Sequence, residues 1–157
     1  MGCETLQFYR QAVWGQWHLL NARVPLEEAK NDFALDYEVR TGLVRAEHIL
    51  DFAAAHLQLK PDGRYQSYVH LDRPSVVWNL FAAGPYELEG TRWCYPVAGC
   101  APYRGYFKEA SARRAAQKYT ARGLETYVGG VPAYSTLGWF DDPLLSTFIV
   151  WPEPDLA

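Results

Sequence analysis

The densest run of residues able to do chemistry is Gly129-Gly130-Val131-Pro132-Ala133-Tyr134-Ser135-Thr136-Leu137-Gly138-Trp139-Phe140-Asp141-Asp142-Pro143. Two glycines and a proline let a backbone approach closely, hydroxyls and aromatics follow, and a pair of carboxylates ends the stretch. That order suits an exposed substrate-binding edge, where an extended peptide hydrogen-bonds to the strand while its positive amino terminus meets Asp141 or Asp142. The expected substrate-binding residues are therefore Tyr134, Ser135, Thr136, Trp139, Asp141 and Asp142. Tyr134 or Trp139 would wall the first pocket, and Ser135 and Thr136 would add hydroxyl contacts. The same residues also fit a β-hairpin with an Asp-Asp-Pro turn and buried aromatics, a role that needs no ligand.

The three cysteines offer a second kind of chemistry. Cys94 and Cys100 lie in Trp93-Cys94-Tyr95-Pro96-Val97-Ala98-Gly99-Cys100, where Pro96 and Gly99 could bend the chain enough for a disulfide in an oxidising compartment. Two buried thiols in a strand and a loop fit these residues equally well. Cys3 follows Gly2, and Met-Gly-Cys is what remains when a bacterial lipoprotein leader is replaced by a start methionine, so Cys3 is the expected lipid anchor. Myristoylation fits less well, because its motif wants Ser or Thr at the position of Leu6.

Metal and nucleotide chemistry find no string of their own. The chain has no Gly-x-Ser-x-Gly, Gly-x-x-x-x-Gly-Lys, Gly-x-Gly-x-x-Gly or His-Glu-x-x-His. His48 and His56 share a predicted helix but lie about two turns apart, too far to chelate one ion. His18 and His70 have no carboxylate or cysteine constellation in sequence. No catalytic residue, no metal ligand and no resident cofactor are expected in this chain.

These residues must be positioned by an α+β scaffold. Leu6, Tyr9, Val13, Trp17 and Leu20 recur at helical spacing, which predicts a first helix with that face inward. Pro25, followed by Glu27 and Glu28, opens a short second one. From about Leu35, the spacing of Val39, Leu43, Ala46, Leu50, Ala53 and Leu57 predicts a third, stopped at Lys60-Pro61-Asp62-Gly63. Beyond Gly63 the texture turns to β-rich runs, Ser75–Phe81 and Trp93–Val97. A helix over Phe107–Arg122, capped by Gly123, and a strand over Leu124–Val128 complete a strand, helix and strand that read as a right-handed parallel crossover. The expectation is one domain over residues 1–157, N-terminal helices followed by a small mixed β-sheet with one crossover helix. Trp151-Pro152-Glu153-Pro154-Asp155-Leu156-Ala157 reads as the beginning of another helix.

Composition excludes several classes. The chain has 157 residues, 49% of them hydrophobic and 15% aromatic, enough apolar material to offset chain entropy and exclude intrinsic disorder. Fifteen Lys and Arg against 18 Asp and Glu give a net charge of -3, without the excess that phosphate-backbone binding needs, so no nucleic-acid partner is expected. No apolar run approaches the ~18–20 residues of a membrane span, so the chain is expected to be soluble as given and to meet a membrane only through a lipid anchor.

Four strings in the right order carry a family resemblance: Tyr9-Arg10-Gln11-Ala12-Val13-Trp14-Gly15-Gln16; Asp72-Arg73-Pro74-Ser75-Val76-Val77-Trp78-Asn79-Leu80-Phe81-Ala82-Ala83; Trp93 through Cys100 with Tyr103-Arg104-Gly105-Tyr106-Phe107; and Tyr127 through Pro143. Together they resemble the bacterial putative aminopeptidase family, which looks like zincin-like zinc metallopeptidases often made as lipoproteins. The resemblance implies that Trp151-Pro152-Glu153 leads toward a helix bearing His-Glu-x-x-His, which would hold zinc and supply the general base. The sequence ends at Ala157, ahead of that helix. It is therefore expected to be a truncated, N-terminal, substrate-side part of a zinc aminopeptidase in the periplasmic cell envelope, inactive alone, with a peptide substrate and a C-terminal half carrying the metal as partners. The alternative is a non-catalytic, envelope-anchored peptide-binding lipoprotein module that kept the recognition edge.

Overall fold

A computed structural model describes residues 2–59, 62–95 and 99–150, with side chains from residue 5 onward. The side chain of Cys3, the bend at Pro96 and the expected helix start at Trp151–Ala157 lie outside the described residues. The fold is mixed α+β, with helices leading and short strands following. Among the described residues, contacts divide the chain into two compact units, Met1–Gln16 with Ser75–Val131, and Trp17–Pro74 with Pro132–Ala157. No helix among the described residues is long and apolar enough to cross a membrane.

The first unit is built on β3 (Val77–Ala83), whose β-branched and aromatic residues alternate toward a core of Trp78, Leu80 and Ala82. It is flanked by β6 (Arg104–Tyr106) and β7 (Glu125–Val131), both antiparallel to it. Between these two in sequence runs α4 (Glu109–Thr120), which buries Ala112 and Ala116, one turn apart, against the same core. Gly123 follows at φ 86, the left-handed conformation that closes a helix cheaply only with glycine. The expected parallel crossover is present, as β6, α4 and β7 of one sheet. The strand leading into α4 is Arg104–Tyr106, and β6 and β7 run parallel without being neighbours, because β3 lies between them. A separate hairpin of β4 (Trp93–Tyr95) and β5 (Gly99–Ala101) puts Cys94 opposite Cys100, and the two form a disulfide.

The first helix, α1 (Gly2–Asn21), is present, but its inward face is not the apolar stripe that the spacing suggested. Leu6 is 73% exposed, Val13 67% and Trp17 53%. Gly15 takes the place of that stripe, since the ring of Phe107 lies where a Cβ at Gly15 would stand. One turn earlier, the side-chain amide of Gln11 donates to the Gly105 carbonyl (3.4 Å) and its oxygen accepts the Phe107 N–H (3.0 Å). A missing side chain and two hydrogen bonds therefore outweigh hydrophobic periodicity on this helix.

The second unit centres on a three-stranded sheet in which β2 (Ser67–Val69) pairs antiparallel with β1 (Val24–Pro25) and parallel with β8 (Leu144–Leu145). Against it pack α2 (Leu26–Asn31) and α3 (Tyr37–His56), which contribute Leu26, Ala29, Val39 and Leu43 to a core completed by Tyr68 and Leu144. Here the periodicity reading holds over the first half of the stripe, where Val39 and Leu43 are buried, and fails at its end, where Leu57 is 56% exposed. The short α5 (Ser146–Ile149) sets the Ile149 side chain on Gly42 of α3. Lys30 of α2 reaches Glu27 and Glu47, both at 2.6 Å, and these hydrogen-bonded carboxylates raise its pKa above the ordinary lysine range.

Candidate functional site

The 129–143 stretch divides between two structural settings. Gly129, Gly130 and Val131 are the end of β7, which pairs with β3 on one side and with no other strand among the described residues. Gly130 is required there, because a Cβ would run into the Ser75 side chain. Past Val131 the expected strand does not continue. Residues 133–143 form a loop in the second unit, with a tight turn in which the Trp139 N–H donates to the Thr136 carbonyl (3.1 Å). Its two central residues, Leu137 (φ 55) and Gly138 (φ 83), are both left-handed. For leucine that conformation costs about 1–2 kcal/mol, so neighbouring bonds must hold it.

Asp142 supplies those bonds. It is 6% exposed, and its carboxylate accepts the Thr136 hydroxyl (2.6 Å), the Thr136 N–H (3.0 Å) and the Ser135 hydroxyl (3.1 Å). A buried carboxylate is tolerable only when donors replace its water, and three do. The Asp142 carbonyl in turn accepts the Tyr65 N–H (2.8 Å), joining the loop to residues 62–65. Ser135, Thr136 and Asp142 are therefore brought together as a loop clasp. Trp139 and Asp141 are not part of it, since both side chains face solvent. The Asp141 backbone carbonyl accepts from Arg23 (3.3 Å), and its carboxylate, although exposed, lies beside Gly63, with Oδ1 3.4 Å from where a Cβ there would stand.

Tyr134 lies between the two charges of this region. Burial pushes its phenol well above the usual tyrosine pKa, the Asp142 carboxylate raises it further, and Arg73 pulls it back. Burial also draws the Arg73 guanidinium below its ordinary value, with Tyr134 opposing. The phenol is thus a neutral donor through the physiological range, not a general base. Arg73 was not singled out by sequence reading, because nothing local connects it to Tyr134.

A second polar chain was also missed. The Tyr68 hydroxyl lies 3.1 Å from His70 Nδ1, and His70 Nε2 lies 3.2 Å from Asp72 Oδ1. Tyr68 is buried, and that burial raises its pKa while a hydrogen bond from Ser146 lowers it. Part of the signal was available, because Tyr68 and His70 alternate at the end of β2 and so share a face, whereas Asp72 lies in a bend past the strand.

No group of three or more His, Cys, Asp and Glu that could hold a metal ion exists among the described residues. The zinc implied by the resemblance does not fit on them. The Cys94–Cys100 disulfide is exposed at both residues and lies apart from the Asp142 clasp in sequence and in unit.

A family model described as "Putative aminopeptidase" matches residues 7–157. No curated protein and no solved structure matches the chain.

Proposed function

The chain belongs to the putative aminopeptidase family, and from that premise we propose that it is the substrate-side part of a zinc-dependent, zincin-like aminopeptidase of the bacterial cell envelope. The family match over residues 7–157 is the observation that carries the reading. In it, zinc and the His-Glu-x-x-His helix belong to residues outside those described, and Cys3 is the lipid attachment point. The described residues bind and orient a peptide.

Each unit by itself offers one feature that suits a peptide ligand. In the first, β7 is an edge strand among the described residues, which is how an extended chain is captured in register. The loop held by Asp142 presents the Trp139 ring and the Asp141 carboxylate to solvent. These suit an apolar first side chain and a free ammonium. Asp142 itself takes the structural part, because its oxygens already accept three protein donors.

Calorimetric titration with a leucyl-trialanine peptide, free or acetylated at its amino terminus, tests this. Asp141→Asn should weaken the free-amine peptide about tenfold and the acetylated one less than about twofold, since a single charge contact is worth on the order of 1 kcal/mol at a partly exposed site. Equal loss for both peptides, or no binding of either, would remove the substrate-side reading.

A further inference from the structure

One face of the first unit's sheet packs on α4 through Trp78, Leu80 and Ala82, so the alternate residues of β3 stand on the other face. The register of the three strands sorts that second face into rows. In one row lie Tyr103, just ahead of β6, Phe81 of β3 and Tyr127 of β7. Phe81 is paired directly with Tyr127, and its ring is 5.8 Å from that of Tyr103 and 6.1 Å from that of Tyr127. The next row is Gly105, Asn79 and Gly129. Both rows belong wholly to that unit.

After these contacts with one another, Tyr127 is still 66% exposed, and Phe81 and Tyr103 are exposed as well. Adjacent exposed rings of this kind mark a surface with a partner. The glycines beside them shape it. A Cβ at Gly129 would lie 2.8 Å from the Tyr127 ring and 3.0 Å from its hydroxyl, so Tyr127 reclines along its strand instead of standing away from the sheet. Asn79 in turn leans toward β6, its Oδ1 3.4 Å from where a Cβ at Gly105 would stand. The rings are tilted to one another by 51° and 36°, which makes the row a shallow curved cradle and not a plane.

Two polar groups edge the cradle. Neither the Asn79 amide nor the Tyr127 hydroxyl has a hydrogen-bond partner among the described residues. The one charge that this face of the three strands carries among them is the Glu125 carboxylate, opposite Ala83, which repels anions. An apolar protein surface would cover the amide and the phenol without pairing them, at a cost. A planar base meets one of the tilted rings at a time. A pyranose ring answers both features, with a puckered face of C–H bonds drawn to the negative face of an aromatic ring and a rim of hydroxyls that donate and accept.

We propose that this face binds a neutral saccharide chain. Linked pyranose units stack on Tyr127, Phe81 and Tyr103, and their hydroxyls meet the Asn79 amide and the Tyr127 hydroxyl. The site uses no side chain assigned to peptide binding, so it stands or fails separately from that reading.

Cellotetraose, chitotetraose, maltotetraose and glucose, titrated calorimetrically into the whole chain, test it. At least one tetrasaccharide should bind with a Kd at or below about 5 mM, and glucose at least about tenfold more weakly. Tyr127→Leu keeps apolar bulk but loses the ring, and should weaken that tetrasaccharide about tenfold. Asn79→Ala should weaken it about fivefold, and Tyr127→Phe, which loses only the hydroxyl, about threefold or less. Tyr86→Ala, at a fully exposed tyrosine of the same unit, should leave it unchanged. No tetrasaccharide binding at or below about 5 mM, glucose binding as tightly, unchanged affinity in Tyr127→Leu, or an equal loss with Tyr86→Ala would overturn the proposal. So would adenosine or the acetylated leucyl-trialanine peptide binding, in a manner lost with Tyr127→Leu, where no tetrasaccharide binds.

Discussion

Cys94 with Cys100 and Ser135 with Asp142 close the chain across separations of six and seven residues. The first closure is a covalent bond between exposed cysteines on a two-stranded hairpin of three residue pairs. The second is a buried carboxylate that gathers a main-chain N–H and two hydroxyls. A two-stranded hairpin that small is marginal on its own, and the disulfide holds it by limiting what the unfolded chain can explore. Asp142 acts on the folded state alone, since its donors converge only once the Thr136–Trp139 turn has formed. The two closures therefore answer to different variables. Reductant loosens the first, while loss of one side chain undoes the second.

The largest effect expected is at Asp142. Asp142→Ala removes the acceptor of the Thr136 N–H and of the Ser135 hydroxyl, leaves the Thr136 hydroxyl only the Phe140 carbonyl at 3.2 Å, and removes what holds Leu137 in its left-handed conformation. A loss of about 3 kcal/mol in urea unfolding is expected, with the Thr136 amide losing its protection from hydrogen exchange. A loss under about 1 kcal/mol would mean that residues 62–65 hold the loop without its clasp, and the comparison would break there.

Reducing Cys94–Cys100, or replacing both with serine, should cost about 2 kcal/mol, as expected for so short a closed loop. The order of the two effects is the sharper test. If reduction costs more than Asp142→Ala, the hairpin stabilises the chain beyond loop closure, through the Trp93 and Tyr106 core that it adjoins.

What the sequence made legible follows the range of the interactions. α2, α3 and β3 were readable because propensity and residue spacing are local and agree with one another. The existence of α1 was readable and its face was not. The deciding feature is the Phe107 ring on Gly15, a contact between residues 92 apart in sequence that hydrophobic counting cannot see. The same limit hid β3 between β6 and β7, since sequence order does not give spatial order. At the candidate site, Ser135, Thr136, Asp141 and Asp142 were all singled out. Reading them as one ligand-binding strand overlooked that one carboxylate of an adjacent pair can turn inward while its neighbour stays in water. Arg73, the cation facing Tyr134, had no local signal.

The smallest effect belongs to pH and tells the two loops apart by titration. A disulfide does not titrate, whereas the Asp142 loop carries Tyr134, whose phenol is held above its ordinary pKa first by burial and then by the Asp142 charge. A raised folded-state pKa gives stability that is fully present below the unfolded value, about 10, and is lost as pH rises beyond it, because only the unfolded chain can then release the proton. Near pH 11 this loss amounts to about 1 kcal/mol. Tyr68 and Tyr95 are also raised by burial, so the whole protein weakens in alkali and the informative quantity is a difference. Tyr134→Phe should therefore lose less stability than the parent chain between pH 9 and 11, and should match its slope below pH 9. Parallel curves throughout would show that Tyr134 ionises as readily in the fold as outside it, leaving the loop no more sensitive to alkali than the hairpin.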